Sequence, residues 1–399
     1  MMGIARGLRS AFRPVWVSGL VAAVFGLVVT QTTTAATAAP RAPATVFRGD
    51  LAGVSAAGPS DAWAVGGVNK PMILHWNGTA WTRAAAPALT NVTLTGVSAP
   101  SGTDAWAVGS VFVNPDGADT LALHWNGTAW AQVPTPSPGT GTVVDQLNGV
   151  SALSADDAWA AGYSSTLGGT SWAALMLHWD GTQWTQVTVP SPGQLPELNA
   201  VDALSPTDVW AVGEYNTGSP AVTKTLLLHW NGTTWTQTAS PIANLHNGNL
   251  TGVSGASPTD VWAVGQYSSG KGGFFKTLVL HWNGTTWTHV PSPNPGGKTS
   301  DKSINSLSGV TAVSSGDAWA VGTYGHYKGQ GAVEAALILR WNGTMWVKVP
   351  APPVSASASG LSGVAALSPS QAWAVGGTYQ RTGGSVLVLS WNGTTWTRS

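Results

Sequence analysis

The chain has 399 residues, with 23 Trp, 50 Gly, 25 Pro, no Cys, 43% hydrophobic residues, only 9% charged residues and a formal net charge of zero. An ordinary soluble domain carries about 25% charged residues, so Thr, Ser, Asn and backbone must solvate this surface. The balance excludes a disordered chain and a basic nucleic-acid footprint, and the missing thiols exclude a disulfide framework, a thiolate metal site and a cysteine nucleophile.

At the N-terminus, Arg6, Arg9 and Arg13 precede an apolar run from Val15 to Val29, followed by small residues through Ala39. This is the layout of a secretory signal peptide. Ala36 and Ala38 supply small residues at −3 and −1, whereas cutting after Ala39 would put Pro40 at +1. The expectation is a signal peptide over 1–38 and a linker over 39–50. Ser18, Gly19 and Gly26 interrupt a run shorter than the ~20 apolar residues of a membrane span, so no membrane attachment is expected after cleavage. Loss of the three arginines leaves acidic residues in slight excess, and the expected location is extracellular.

From Leu51 onward one unit recurs seven times. Its first Trp falls at Trp63, Trp106, Trp159, Trp210, Trp262, Trp319 and Trp373. Its second falls at Trp76, Trp125, Trp179, Trp230, Trp282, Trp341 and Trp391, and its third at Trp81, Trp130, Trp184, Trp235, Trp287, Trp346 and Trp396. Only Trp16 and Trp172 lie outside the scheme.

Each copy carries four strand signals. In the fifth they are Leu250–Ser254, Val261–Val264, Thr277–Trp282 and Thr285–Thr288. Ser257-Pro258-Thr259-Asp260 turns the chain between the first two. Asn283-Gly284 joins the last two and predicts a two-residue type I′ hairpin. Pro291-Ser292-Pro293 stops the last strand. No sustained 3.6-residue period appears, so helix is expected to be minimal. Four strands in ~40–50 residues are a propeller blade. The fold class is therefore all-β, a seven-bladed β-propeller with four antiparallel strands per blade, over 51–399. The blades fall at about 51–89, 94–136, 147–192, 198–241, 250–293, 307–350 and 361–399. A lone blade cannot bury both faces but a ring can, so the repeated Trp are assigned to packing between blades.

The run Val209-Trp210-Ala211-Val212-Gly213, with the hairpin Trp230-Asn231-Gly232-Thr233-Thr234-Trp235, resembles kelch and BNR/Asp-box propeller repeats. It is also similar to tectonin-type lectin repeats, whose blades display sugar-binding loops. The resemblance spans all seven copies and implies architecture rather than activity. The chain departs from the Asp-box pattern, with no Ser-x-Asp before Asn231-Gly232. Only Gly66-Gly67 and Gly376-Gly377 match the kelch double glycine at the end of the second strand.

His75, His124, His178, His229 and His281 precede the second Trp, with Arg340 and Ser390 in the last two copies. Radial repetition separates them, so they are read as structural hydrogen-bonding residues rather than metal ligands. Asp61, Asp104, Asp157, Asp208, Asp260 and Asp317 close the first turn and are expected to pair with them, as in WD-type blades. Asn77, Asn126, Asn231, Asn283, Asn342 and Asn392 match a glycosylation pattern that the turn already explains. Asp202 and Glu214, which replace small or neutral residues of other copies, form the least poor acid/base pair.

Nearly all the non-repeated aromatic residues of the propeller gather in the connection after the second strand, which varies in length. Exposed aromatics beside polar groups suit sugar rings or peptide side chains. The candidate ligand-binding set is Tyr163, Trp172, Tyr215, Tyr267, Phe274, Tyr324, His326, Tyr327, Tyr379 and Arg381, with strand packing the competing role for Tyr215 and Tyr267. No catalytic, cofactor or metal residue is assigned. Few arginines argue against sialidase chemistry, and the absence of Cys excludes the Tyr–Cys copper oxidases of kelch type. The expected function is a secreted, monomeric, non-enzymatic scaffold binding carbohydrate or extracellular protein through the variable face, without cofactor. The alternative is a hydrolase or lyase with its site in the central funnel.

Overall fold

A computed structural model describes residues 47–113, 117–139, 143–166, 172–218, 222–242, 246–268, 274–297, 303–328, 331–380 and 383–399. The expected signal peptide and Arg381 lie outside the described residues. Every element among them is a strand. Blade 4 shows the unit: Gln194–Ser205, Asp208–Thr217, Val222–Trp230 and Trp235–Gln237 pair antiparallel in chain order. The same order recurs in all seven blades of the β-propeller.

The first strand of each blade is innermost. Residues of all seven, among them Val54, Val97, Val150, Val201, Val253, Val310 and Val364, line an axial space of about 160 Å³. The strands approach closely there. A Cβ at Gly363 would lie 3.2 Å from the Gly53 Cα, and one at Gly53 3.4 Å from the Gly96 Cα. Glycine is also required where the second strand crosses the first: a Cβ on Gly213 would run into the Glu197 carbonyl. At that level the pairing slips between Leu198 and Ala200, leaving Asn199 bulged.

The bulged residues join the ring together. Thr95, Asn148, Asn199 and Thr251 donate to the Leu147, Leu198, Leu250 and Leu307 carbonyls of the next blade, at 2.6, 2.9, 2.8 and 2.7 Å. A second set lies nearer the short turns. Ser55, Ser98, Ser151 and Ser254 each accept from a backbone N–H of the following blade.

Apolar residues form seven layers, each shared by two adjacent blades. The first Trp anchors each layer. Trp210 is fully buried. It lies 4.9 Å from Trp282 and 5.1 Å, edge-on, from Trp287 of the next blade. The edge-on arrangement sets a ring's positive edge against a negative face. Equivalent contacts run from Trp63 to Trp125 and close the ring from Trp373 to Trp76. The second Trp donates its indole N–H to the first turn, as Trp230 does to the Pro206 carbonyl at 3.1 Å.

The hairpin differs from the expected two-residue turn. Trp282 pairs with Trp287, so four residues form the loop, and only Gly284 has positive φ, at 91°. The Trp pair sets the loop length. Asn283 closes it as an acceptor: its Oδ1 receives the N–H groups of Thr285 and Thr286 and the Thr285 hydroxyl. Asp180 holds the same bonds in blade 3, and they keep its carboxyl down at about 2, the Thr182 hydroxyl first.

Proline-rich links cap the outer edge of the third strand. The Thr277 hydroxyl bonds that of Ser292 at 2.8 Å, and the Thr277 backbone N–H donates to Asn294 Oδ1 at 2.8 Å. At the seam, blade 7 is complete from its own four strands. Phe47 and Gly49 add to its third strand, through Val386 N–H to Phe47 O at 3.0 Å and Gly49 N–H to Gly384 O at 3.3 Å.

Candidate functional site

The short-turn end is structural. Asp61, Asp104, Asp157, Asp208 and Asp260 meet His75, His124, His178, His229 and His281 at 2.6–2.9 Å. Each pair stays within its own blade. Arg340 replaces the His in blade 6 with two bonds to Asp317, at 2.7 and 3.1 Å. The His stacks on the first Trp, 4.2 Å between His229 and Trp210, so Asp, His and Trp brace one another. Asp208→Ala leaves His229 without its partner and is expected to lower stability by about 1–2 kcal/mol, measured by denaturant titration.

The acid/base pair inferred from sequence is not brought together. Asp202 stands opposite Trp210, whereas Glu214 stands opposite Glu197. Four positions of the second strand, Trp210 to Glu214, at ~3.3 Å each separate the two levels. Asp202 takes the inter-blade role that Ser has elsewhere: its Oδ2 accepts the Gly255 N–H at 2.8 Å. Desolvation raises its carboxyl to about 6, with a further push from Asp208 against the pull of that bond.

The acidic pair that the fold creates is Glu197–Glu214, at the long-connection end. Desolvation raises Glu197 to about 7, Glu214 adds to the rise, and the Asn148 side chain opposes it. Burial also raises Glu214. Asn148 of blade 3 donates to Glu197 at 3.4 Å and accepts from Gln146 at 2.8 Å. Glu197 was findable in the sequence: it stands one residue before the inner-strand Leu, where blades 3, 5 and 6 have Gln146, Asn249 and Ser306.

The candidate aromatics do not converge. Tyr163 and Trp172 stack on one another, centroids 4.7 Å apart. Tyr215, Tyr267 and Tyr324 pack against inter-blade core layers. Phe274 is half-buried, with the Lys276 ammonium 5.7 Å from its ring. His326, Tyr327 and Tyr379 are exposed, on blades 6 and 7.

Beside them an open groove of about 440 Å³ is lined by Tyr324, Val333, Glu334, Lys348 and the link Pro350–Val354. It exists because Ala351 and Pro353 stand where the blade 5 link has Ser292 and Asn294, and Ala336 where blade 5 has Thr277. The polar cap is replaced by short apolar side chains. Ser357, which lines the groove, donates to the Tyr379 carbonyl at 2.7 Å.

No titratable side chain lines the axial space among the described residues. No group of three or more His, Cys, Asp or Glu able to hold a metal occurs among them either.

No family model and no curated protein sequence matches the chain. Solved structures do match. YCF48 bound to D1 peptide is 16% identical, with a TM-score of 0.51, covering 88% of this chain and 95% of that one. YCF48 from Cyanidioschyzon merolae is 14% identical, TM-score 0.52, covering 88% and 97%. U3-55K is 10% identical, TM-score 0.53, covering 86% and 97%. At these identities the likeness is one of fold, and the fold it carries is the β-propeller.

Proposed function

We propose that this chain is an exported binding scaffold that takes a polypeptide partner on its long-connection face, centred on the groove between blades 6 and 7. One observation carries the reading. Of the large apolar side chains exposed among the described residues, Val68, Phe112, Val113, Leu195, Tyr327, Val333 and Tyr379 lie at the long-connection end, and Met345 alone lies at the other. Exposed apolar surface gathered on one face marks an interaction site. The set mixes aliphatic with aromatic side chains, which suits peptide side chains better than the flat stacking of sugar rings. YCF48, a propeller of similar architecture, is bound to a D1 peptide in its structure. Export rests on the signal-peptide layout of 1–38 and is tested by N-terminal sequencing of the secreted chain, expected to begin at Ala39.

A photo-crosslinking residue at position 327 is expected to yield protein adducts from the native extracellular milieu, and one at position 345 none. Tyr379→Asp is expected to weaken that adduct about tenfold or more while thermal stability holds, the scale of an aromatic anchor. Adducts at both positions alike, or binding confined to a glycan array, would overturn the reading.

A further inference from the structure

The fourth strand of each blade is short and does not cover the outer edge of the third strand to its start. In blade 1 it reaches only Leu74, opposite Arg83. Beyond it, the residue five before the second Trp has a backbone N–H that needs an acceptor. In blades 2, 3, 5 and 6, Thr120, Ala174, Thr277 and Ala336 donate to side-chain oxygens of Ser137, Ser191, Asn294 and Ser359 at 2.8–3.2 Å. In blade 7 Val386 donates to the Phe47 carbonyl at 3.0 Å. Blade 1 has Pro71 there, which carries no N–H. Its link, Ala84-Ala85-Ala86-Pro87-Ala88-Leu89, offers no side-chain oxygen. It is held at its ends, by the Ala84 N–H to the Ile73 carbonyl at 2.9 Å and the Asn91 N–H to the Asn69 carbonyl at 2.8 Å. An open cleft of about 400 Å³ remains between link and strand edge.

Lys70 and Arg83 line this cleft with Pro71 and the link, and no acidic residue does. Both are exposed, and neither forms an ion pair among the described residues. Arg83 Nη2 donates to the Pro71 carbonyl at 3.3 Å, which holds the guanidinium on the cleft wall. Blades 2, 3 and 4 have the neutral Gln132, Gln186 and Gln237 at that position. Apolar surface adjoins the same rim. Val68 and Phe112 are 71% and 50% exposed. Val68 pairs with Thr93, and the Phe112 N–H reaches the carbonyl of Asn91, next in the chain to the cleft residue Thr90, at 2.7 Å.

We propose that the outer cleft of blade 1 binds a carboxylate of an acidic, apolar polypeptide segment. Lys70 and Arg83 receive the carboxylate, and Val68 and Phe112 take apolar side chains beside it. A guanidinium offers paired donors that match the two carboxylate oxygens. Exposed charges alone bind weakly in salt water, so the apolar neighbours, which shed water on docking, supply the rest. A sulfated glycan would satisfy the cations and leave those side chains wet. The site lies on different blades from the groove beside Tyr324 and stands without it.

The experiment is selection from a random octapeptide phage library on the full chain, with the winning peptide titrated by fluorescence anisotropy. Wild type is expected to enrich sequences that set an aspartate or glutamate next to aliphatic or aromatic residues. Arg83→Gln, which installs the residue of blades 2–4, is expected to melt as wild type does and to bind the peptide about tenfold more weakly. Lys70→Ala, which installs the residue that blade 3 has as Ala173, is expected to weaken binding in the same direction. No enrichment, enrichment of sequences without an acidic residue, or equal binding by wild type and both variants overturns the proposal. Binding of a heparin oligosaccharide with no peptide selected overturns it as well.

Discussion

Trp210→Ala is expected to destabilise the ring by about 3–5 kcal/mol, the range for emptying a buried Trp site. Trp210 is fully buried and touches His229 of its own blade and Trp282 and Trp287 of the next. Its removal opens a cavity in the layer between blades 4 and 5 and takes the stacking surface from the Asp208–His229 pair. Truncating Trp172, half-buried outside the repeated scheme, is expected to cost less than half as much. Chemical denaturation of the two variants measures the contrast. Equal losses would show that the repeated Trp do not carry the ring.

The second large effect is a pH dependence set by Glu197. Its folded carboxyl lies near 7 against an ordinary 4.5, so between those values the folded state binds more protons than the unfolded one. Stability therefore falls as pH rises through this window and is flat above it. Asp202, raised to about 6 from 3.8, contributes the same sign in a lower window. Glu197→Gln removes the first contribution and is expected to gain about 1–2 kcal/mol over wild type at pH 8, after discounting for solvent access, and little at pH 4. Asp202→Ser, which keeps an oxygen for the Gly255 N–H as Ser151 does for Ala203, is expected to flatten the curve below pH 6. Denaturation midpoints from pH 4 to 8 test both. A variant whose slope matches wild type would refute the assigned role of its carboxyl.

The two acids also show how far local pattern reaches. Asp202 and Glu214 stand out in the sequence because both replace neutral residues of the repeat, and that reasoning was sound for each alone. It did not pair them correctly. The bulge at Asn199 and the register of the first two strands set Glu214 opposite Glu197 and Asp202 opposite Trp210. The hairpin repeats the lesson: Asn-Gly suits a tight turn, but pairing of the flanking Trp residues leaves a four-residue loop.

By itself, then, the sequence determined the ring. Alternating apolar runs, turn residues and three Trp per copy are short-range signals, and sevenfold recurrence multiplies each of them. It also determined the Asp–His braces, because the same two positions recur blade after blade. Only the tertiary structure decided which unlike residues meet: Glu197 with Glu214, and the apolar link with Tyr324. Those contacts join positions unique to single blades across strand registers and blade interfaces. Their distances depend on how the whole ring closes, and no repeat period encodes them.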